Sequence, residues 1–367
     1  MATTEHEFAF SFPAIRGIQA GREYYVAMCP FNILPKMMQM GEEELPPELR
    51  AQRELNGARI PQIARYLIEN RNNYVLSSIT ASIDGHSVFQ PIGDDPVSRK
   101  VGKLTIPLDA RIFINDGQHR RAAIETALQH NSALANESVS IVFFVDAGLE
   151  RSQQMFADLN RYGVRPTKSI SILYDHRDPL ARLIGDLVRT HHVFKGVTEL
   201  AKSTISNRSR KLFTLSSVYL ASCKLIQKRE GDEVSAMEAQ FVSEFWEEVD
   251  NQIPDWRAAR ENRVSPAELR RDFMHAHGIA LQALALAGSA LVSAEPRTWK
   301  RSIRKIRSLN WSRANAPLWE GRALIAGKVS KAHNSVVLTA NTIKKILGLS
   351  LTSSEMQIEE LAQKGQL

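Results

Sequence analysis

The hydrophobic pattern of this chain changes period near Ser169, and that change constrains its fold more than any other feature. Before it, apolar and aromatic residues gather in short runs bounded by Gly, Pro, Asn and Asp, as strands do. Runs at 8–12 and 24–28, separated by Gly17 and Gly21, predict a hairpin or a long crossover. Residues 74–83, 103–108, 111–114 and a central run at 138–145 predict further strands, and 61–70 a helix. An acidic, Pro-containing segment at 42–48 reads as a surface loop. After Ser169 the apolar residues recur at helical spacing over 173–189, 211–228, 236–250, 255–262 and 265–275. The stretch 279–292 is apolar enough to be a buried helix, which Gly288 is expected to break. The expectation is an α+β chain with three parts. These are a mixed α/β domain over 1–170, a helical domain over 171–295, and a basic, mainly helical region over 296–367 that ends in a loose polar helix.

One strand is followed at once by an unusual helix start. Ile112-Phe113-Ile114-Asn115-Asp116-Gly117 runs directly into Gln118-His119-Arg120-Arg121-Ala122. A helix N-terminus offers unpaired N–H groups and partial positive charge, so an anion is favoured there. Gly117 lets the backbone approach a ligand or take positive φ. His119 and Arg120 add donors suited to phosphate, with Gln118 and Arg121 at the edges. Two readings stay open from the residues alone: a phosphate-binding strand-turn-helix, or an Asp cap followed by surface bases. A second segment, Asn160-Arg161-Tyr162-Gly163-Val164-Arg165-Pro166-Thr167-Lys168-Ser169, supplies another basic turn after a helix that Gly163 stops. Thr167 or Ser169 can cap the helix that follows. Taken alone it reads as a capped helix-loop-helix with solvated charges. Beside the first turn, Asn160, Arg161, Lys168 and Ser169 become candidates to clamp a nucleotide from a second side.

Asp116-Gly117-Gln118-His119-Arg120 resembles the defining motif of the DGQHR-domain family. That family is similar to the ParB/sulfiredoxin superfamily, in which a Gly-x-His-Arg or Gly-x-Arg-Arg turn opens a helix beneath nucleotide phosphates. The segment around Asn160 resembles the Asn-rich motif that follows in such proteins. With the opening His6-Glu-Phe-Ala-Phe-Ser-Phe-Pro13 and the chain length, the whole sequence resembles the DndB family of DNA phosphorothioate (sulfur) modification regulators. The resemblance implies a ParB/sulfiredoxin-like N-terminal fold that binds ATP or another NTP at Gly117–Arg121, with slow hydrolysis as an accompanying expectation. It also implies a repressor bound to double-stranded DNA at the promoter of the modification genes. Other sulfur-modification proteins and a second copy of the chain are the further partners expected. Sulfiredoxins carry their catalytic cysteine where Gln118 stands here, so sulfinic-acid reduction is not expected. An NTP-dependent nicking enzyme of the DGQQR kind and a scaffold of the modification complex are the alternatives. For enzymatic chemistry Asp116 and His119 are the candidates, and either Asp84 or Asp116 is a carboxylate that could hold Mg²⁺.

Composition bears on the partner. Of 367 residues 43% are hydrophobic and 24% charged, as in ordinary globular proteins. No apolar run reaches the ~18 residues of a membrane span, and no signal-peptide pattern opens the chain. Cys29 and Cys223 stand far apart, which argues against a disulfide framework and fits a cytoplasmic protein. The net charge of +7 is unevenly placed. Between Arg297 and Lys345 stand twelve bases and a single acid, Glu320, so that segment is +11 and the remainder −4. Such asymmetry suits a polyanion, nucleic acid first. Two places are candidates for duplex contact. One is a helix-turn-helix-like stretch with Arg257, Arg260, Arg263, Arg270 and Arg271, whose alternative is a packed helical pair. The other is 299–313, where Trp299, Ile303, Ile306 and Leu309 form an apolar stripe and Lys300, Arg301, Arg304, Lys305, Arg307 and Arg313 cover the rest. His191-His192 and His275-x-His277 lack a third ligand and read as surface or core histidines.

Overall fold

The computed structural model describes residues 8–38, 59–145, 148–161 and 166–366. The acidic segment 42–48, the turn 162–165 and the side chains of Asn160 and Arg161 lie outside what it describes. Two compact units divide the chain, Met1–Val164 and Arg165–Leu367.

The first unit is built on one seven-stranded sheet. Strands β1 (Ala9–Gln19) and β2 (Arg22–Pro30) form the expected hairpin. Then come β3 (Ile79–Asp84), β4 (Val88–Pro91), β5 (Val101–Pro107), β6 (Arg111–Asp116) and β7 (Ser138–Val145). The order is β4-β5-β1-β2-β7-β3-β6, with every neighbour antiparallel except β3 and β7. Alternation decides which side is covered, since successive side chains face opposite ways. Phe12 and Ala14, Ala27 and Cys29, Ile79, Ala81 and Ile83, Leu104 and Ile106, and Val139, Ile141 and Phe143 are buried in one cluster. Ala64 and Leu67 of the Arg59–Glu69 helix and Ala123, Ile124 and Ala127 of the Gln118–His130 helix complete it. Gly17 does not punctuate the hairpin. It lies inside β1 opposite Tyr24, whose ring fills the space where a Cβ would stand.

The second unit is helical. Its expected first helix is two, Lys168–Tyr174 and Pro179–Thr190, because Asp178 caps the second and Pro179 begins it. One continuous hydrophobic core runs from Ile172 to Leu347, with Trp246, Trp256 and Trp319 wholly buried. The expected boundary between 295 and 296 falls within this core, so the helical and basic parts share it.

Gly288 does not break its helix, which continues from Gly278 to Ala294. The glycine is there for Phe245: a Cβ at 288 would stand 2.2 Å from that ring. Gly288→Ala is therefore expected to overpack the core and lower stability by about 1–3 kcal/mol, although alanine is the better helix former. Urea unfolding checks the sign; a stabilised variant would contradict it.

Candidate functional site

The strand-turn-helix is built as the sequence suggests, and its side chains are engaged in a particular way. β6 ends at Asp116, and Gly117 precedes the Gln118–His130 helix with φ +105°. A Cβ at Gly117 would meet Arg120 Nη2 and Ile79 Cγ1, each at 3.0 Å. Arg120 folds back on the turn, donating to Asp116 Oδ2 at 2.6 Å and to the Ser78 carbonyl at 3.1 Å. Its guanidinium therefore braces the turn. Arg121 pairs with Glu125 at 2.8 Å. Two donors remain in this first turn: Nε of Arg120 and Nε of Arg121 are buried without a hydrogen-bond partner. No side chain caps the helix, so its first amides add to them. Burial first, then the charges of Arg59 and Arg120, lower the His119 pKa, so the ring is neutral near pH 7. Arg59, at the start of the preceding helix, is thus a cation beside the turn that the motif did not reveal.

The donor set fits a phosphate group. Asp84 and Asp116, either of which the sequence offers to Mg²⁺, do not share one site. In the β3–β6 ladder Asp116 lies opposite Thr80 and Asp84 opposite Arg111. Four residues of strand, roughly 13 Å, separate the two carboxylates. Among the described residues no group of three or more His, Cys, Asp or Glu stands together as metal ligands would.

Lys168 and Ser169 belong to the second unit. Ser169 is fully buried; its hydroxyl donates to the Lys202 carbonyl at 3.0 Å and is hydrogen-bonded with Ser216 Oγ at 3.1 Å. It ties helices together and is closed to a ligand. Thr167 caps its helix, accepting from Ile170 N–H, and Lys168 stays exposed.

The helix-turn-helix-like arginines divide. Arg260 is bound at both nitrogens by the buried carboxylate of Asp250, each bond 2.7 Å. Arg270 donates to the carbonyls of Ser206, Ser209 and Lys211. Both are internal braces. Arg263 pairs with Glu261 and Arg271 with Asp272, while Arg257 is exposed and in no ion pair among the described residues. Of the four histidines His192 is exposed, whereas His275 sits between Trp256 Nε1 and Asp255 and burial lowers the His277 pKa to about 4.

The basic segment differs most from its expected shape. Trp299–Ser302 is one α-turn, and Ile303–Ser308 continues as a 3-10 helix. A 3-10 helix has three residues per turn, so positions three apart eclipse. Ile303, Ile306 and Leu309 are buried in one row. Arg304 and Arg307 form another, with Arg301 one turn earlier, and all three are exposed. Lys305 donates to the Leu347 carbonyl at 2.9 Å and Arg307 to Asn251 O at 3.1 Å; among the described residues neither meets a carboxylate. Four of the twelve bases in this segment are neutralised from outside it. Lys300 pairs with Glu244, Lys344 with Glu355, and both Arg322 and Lys345 with Glu359. The other eight form no ion pair among the described residues. The acids at 355 and 359 lie on the Ser353–Gln363 helix, which these pairs hold in place; it is not loose.

These features define a mixed α/β protein with an anion-suited turn in its sheet unit and an open cationic surface on its helical unit. No helix among the described residues is long and apolar enough to cross a membrane. The family model for DndB, DNA-sulfur modification-associated, matches residues 12–350, and the chain belongs to that family. Membership ties it to DNA sulfur modification. Comparisons with curated proteins and with solved structures give no match.

Proposed function

We propose that this chain is a DNA-binding transcriptional regulator, a repressor of the phosphorothioate modification genes, whose hold on duplex DNA responds to a nucleoside triphosphate. The observation that carries the reading is the exposed row of Arg301, Arg304 and Arg307, set beside a buried apolar row and in no ion pair among the described residues. Eclipsed side chains about 6 Å apart along a 3-10 helix suit successive phosphates of a DNA strand. Arg257, Arg297 and Lys328 are exposed cations of the same unit. The two orphaned Nε donors and the uncapped helix support nucleotide binding at the Asp116–Arg121 turn. There Gln118, His119 and Arg121 meet phosphates while Arg120 keeps Asp116 in position. The motif resemblance supports a ParB/sulfiredoxin-like ancestry for this unit. The protein works in the cytoplasm, on promoter DNA and beside the other sulfur-modification proteins. A ligand that binds the DNA-competent state better than the other shifts DNA affinity by that difference.

Equilibrium binding of ATP, read together with DNA affinity, tests the coupling. The wild type is expected to bind ATP, and its DNA affinity to change by roughly 5–150-fold when ATP saturates. His119→Ala with Arg121→Ala is expected to abolish both effects and leave binding of nucleotide-free protein to DNA intact, because the Arg120–Asp116 brace remains. DNA affinity indifferent to ATP would overturn the coupling.

A further inference from the structure

Within the helical unit, and apart from both features above, lies a cavity of about 910 Å³. That is the size of pocket that holds a cofactor or drug-sized molecule. Its lining carries five cations, Lys168, Arg270, Arg271, Arg313 and Lys331, against one carboxylate, Glu268. The way these cations are held matters more than their number. Among the described residues Arg313 donates to backbone oxygens alone, those of Arg270, Arg271 and Gly327. Arg270 likewise meets carbonyls alone. Lys168 and Lys331 form no ion pair among the described residues, and only Arg271 has an acidic partner, Asp272. Neutral carbonyls fix the guanidiniums in place without cancelling their charge. The wall therefore keeps a positive potential that an anion would relieve.

The rest of the lining narrows the kind of anion. Leu212, Phe213, Leu220 and Ile279 are apolar parts of the lining, where inorganic phosphate would gain nothing. Thr204, Asn207 and Gln282 offer polar atoms on the same walls. The Leu215–Ile226 and Gly278–Ala294 helices both begin at the cavity, and no side chain caps the second. Their positive ends add to the field of the cations. The residues come from 168, 203–220, 267–282 and 313–331, so only the tertiary fold brings them together.

We propose that this cavity binds a small organic phosphate of nucleotide size. Its phosphate lies among Lys168, Arg313 and Lys331, and its planar or apolar part rests against Leu212 and Phe213. The site is independent of the Asp116–Arg121 turn, and free nucleotide and a nucleotide at a DNA end share the chemistry it selects.

Hydrogen–deuterium exchange on the full chain reads the two places separately. Saturating ATP or AMP is expected to slow exchange in peptides covering 203–217 and 267–282. Peptides covering 117–124 report the turn on their own. Lys168→Gln with Lys331→Gln, both exposed and outside the core, is expected to raise the nucleotide concentration needed for that protection about tenfold per lysine, and arginine at both positions to restore it. Protection by a 5′-phosphorylated duplex but by no free nucleotide would support the site with a DNA end as its occupant. Equal protection by tripolyphosphate and ATP would overturn the assignment to an organic phosphate. No protection of 203–217 and 267–282 by any of these probes would overturn the site itself, whatever the turn does.

Discussion

Glutamine at Arg301, Arg304 and Arg307 together is expected to weaken binding to any duplex by about a hundredfold to a thousandfold at moderate salt. It should also flatten the slope of log K against log salt by roughly 2–3. Each arginine that neutralises a phosphate releases condensed counterion, and the slope counts those contacts. Arg304 and Arg307 owe their alignment to the 3-10 helix, which Ile303 and Ile306 anchor in the core. Because the three arginines are exposed and in no ion pair among the described residues, their loss should leave the melting temperature within about a degree of wild type. Melting separates a binding defect from a folding defect. Replacing Arg260, by contrast, should unfold rather than merely weaken, since it leaves Asp250 buried and unpaired.

A second large effect is expected at Glu359. This carboxylate is 6% exposed and receives both arms of Arg322, at 2.7 and 2.8 Å. Asn341 and Lys345 donate to it as well, at 3.0 and 3.1 Å. The Arg322 bond above all pushes its pKa down to about 2. Glu359→Gln removes the charge and keeps the shape, leaving Arg322 and Lys345 without their partner. The expected loss is about 3 kcal/mol, and the second unit should melt several degrees lower. The pH dependence has a definite sign. A carboxylate with a folded pKa below its unfolded value stabilises fully above the unfolded pKa and ceases to do so as pH falls through the folded one. The advantage of wild type over the Glu359→Gln variant should therefore be constant near neutrality and fade between about pH 4.5 and 2. Chemical denaturation of both proteins across that window measures it; an advantage that grows toward low pH would contradict the assignment.

Local pattern carried most of the fold. The apolar run at 138–145 marked a central strand, and the helix expected from 265 starts there behind a Ser265 cap. The stripe of Trp299, Ile303, Ile306 and Leu309 was readable as buried, because both helical periods keep those positions near one face. Arg301, Arg304 and Arg307 share that three-residue spacing, and the tighter turn over Ile303–Ser308 brings Arg304 and Arg307 into closer line. Long-range partners were out of reach. Arg260 and Arg270 looked like free bases until Asp250 and the 206–211 carbonyls closed on them. The +11 of 297–345 looked unopposed because its acids come from Glu244 on one side and from Glu355 and Glu359 on the other. Gly288 misled for the same reason, since the ring that requires it lies forty-three residues away. In the candidate turn, motif and backbone agreed, but the bracing of Asp116 by Arg120 is a matter of rotamers.

Footprinting on the promoter of the modification genes, with and without ATP, tests the central claim most directly. The expected result is a discrete protected site that wild type occupies, that the triple variant with glutamine in place of Arg301, Arg304 and Arg307 leaves empty at the same concentration, and whose occupancy ATP alters. Strand breaks that require ATP would mark an enzyme instead. An unprotected promoter in both conditions would contradict the regulator and leave a scaffold of the sulfur-modification complex.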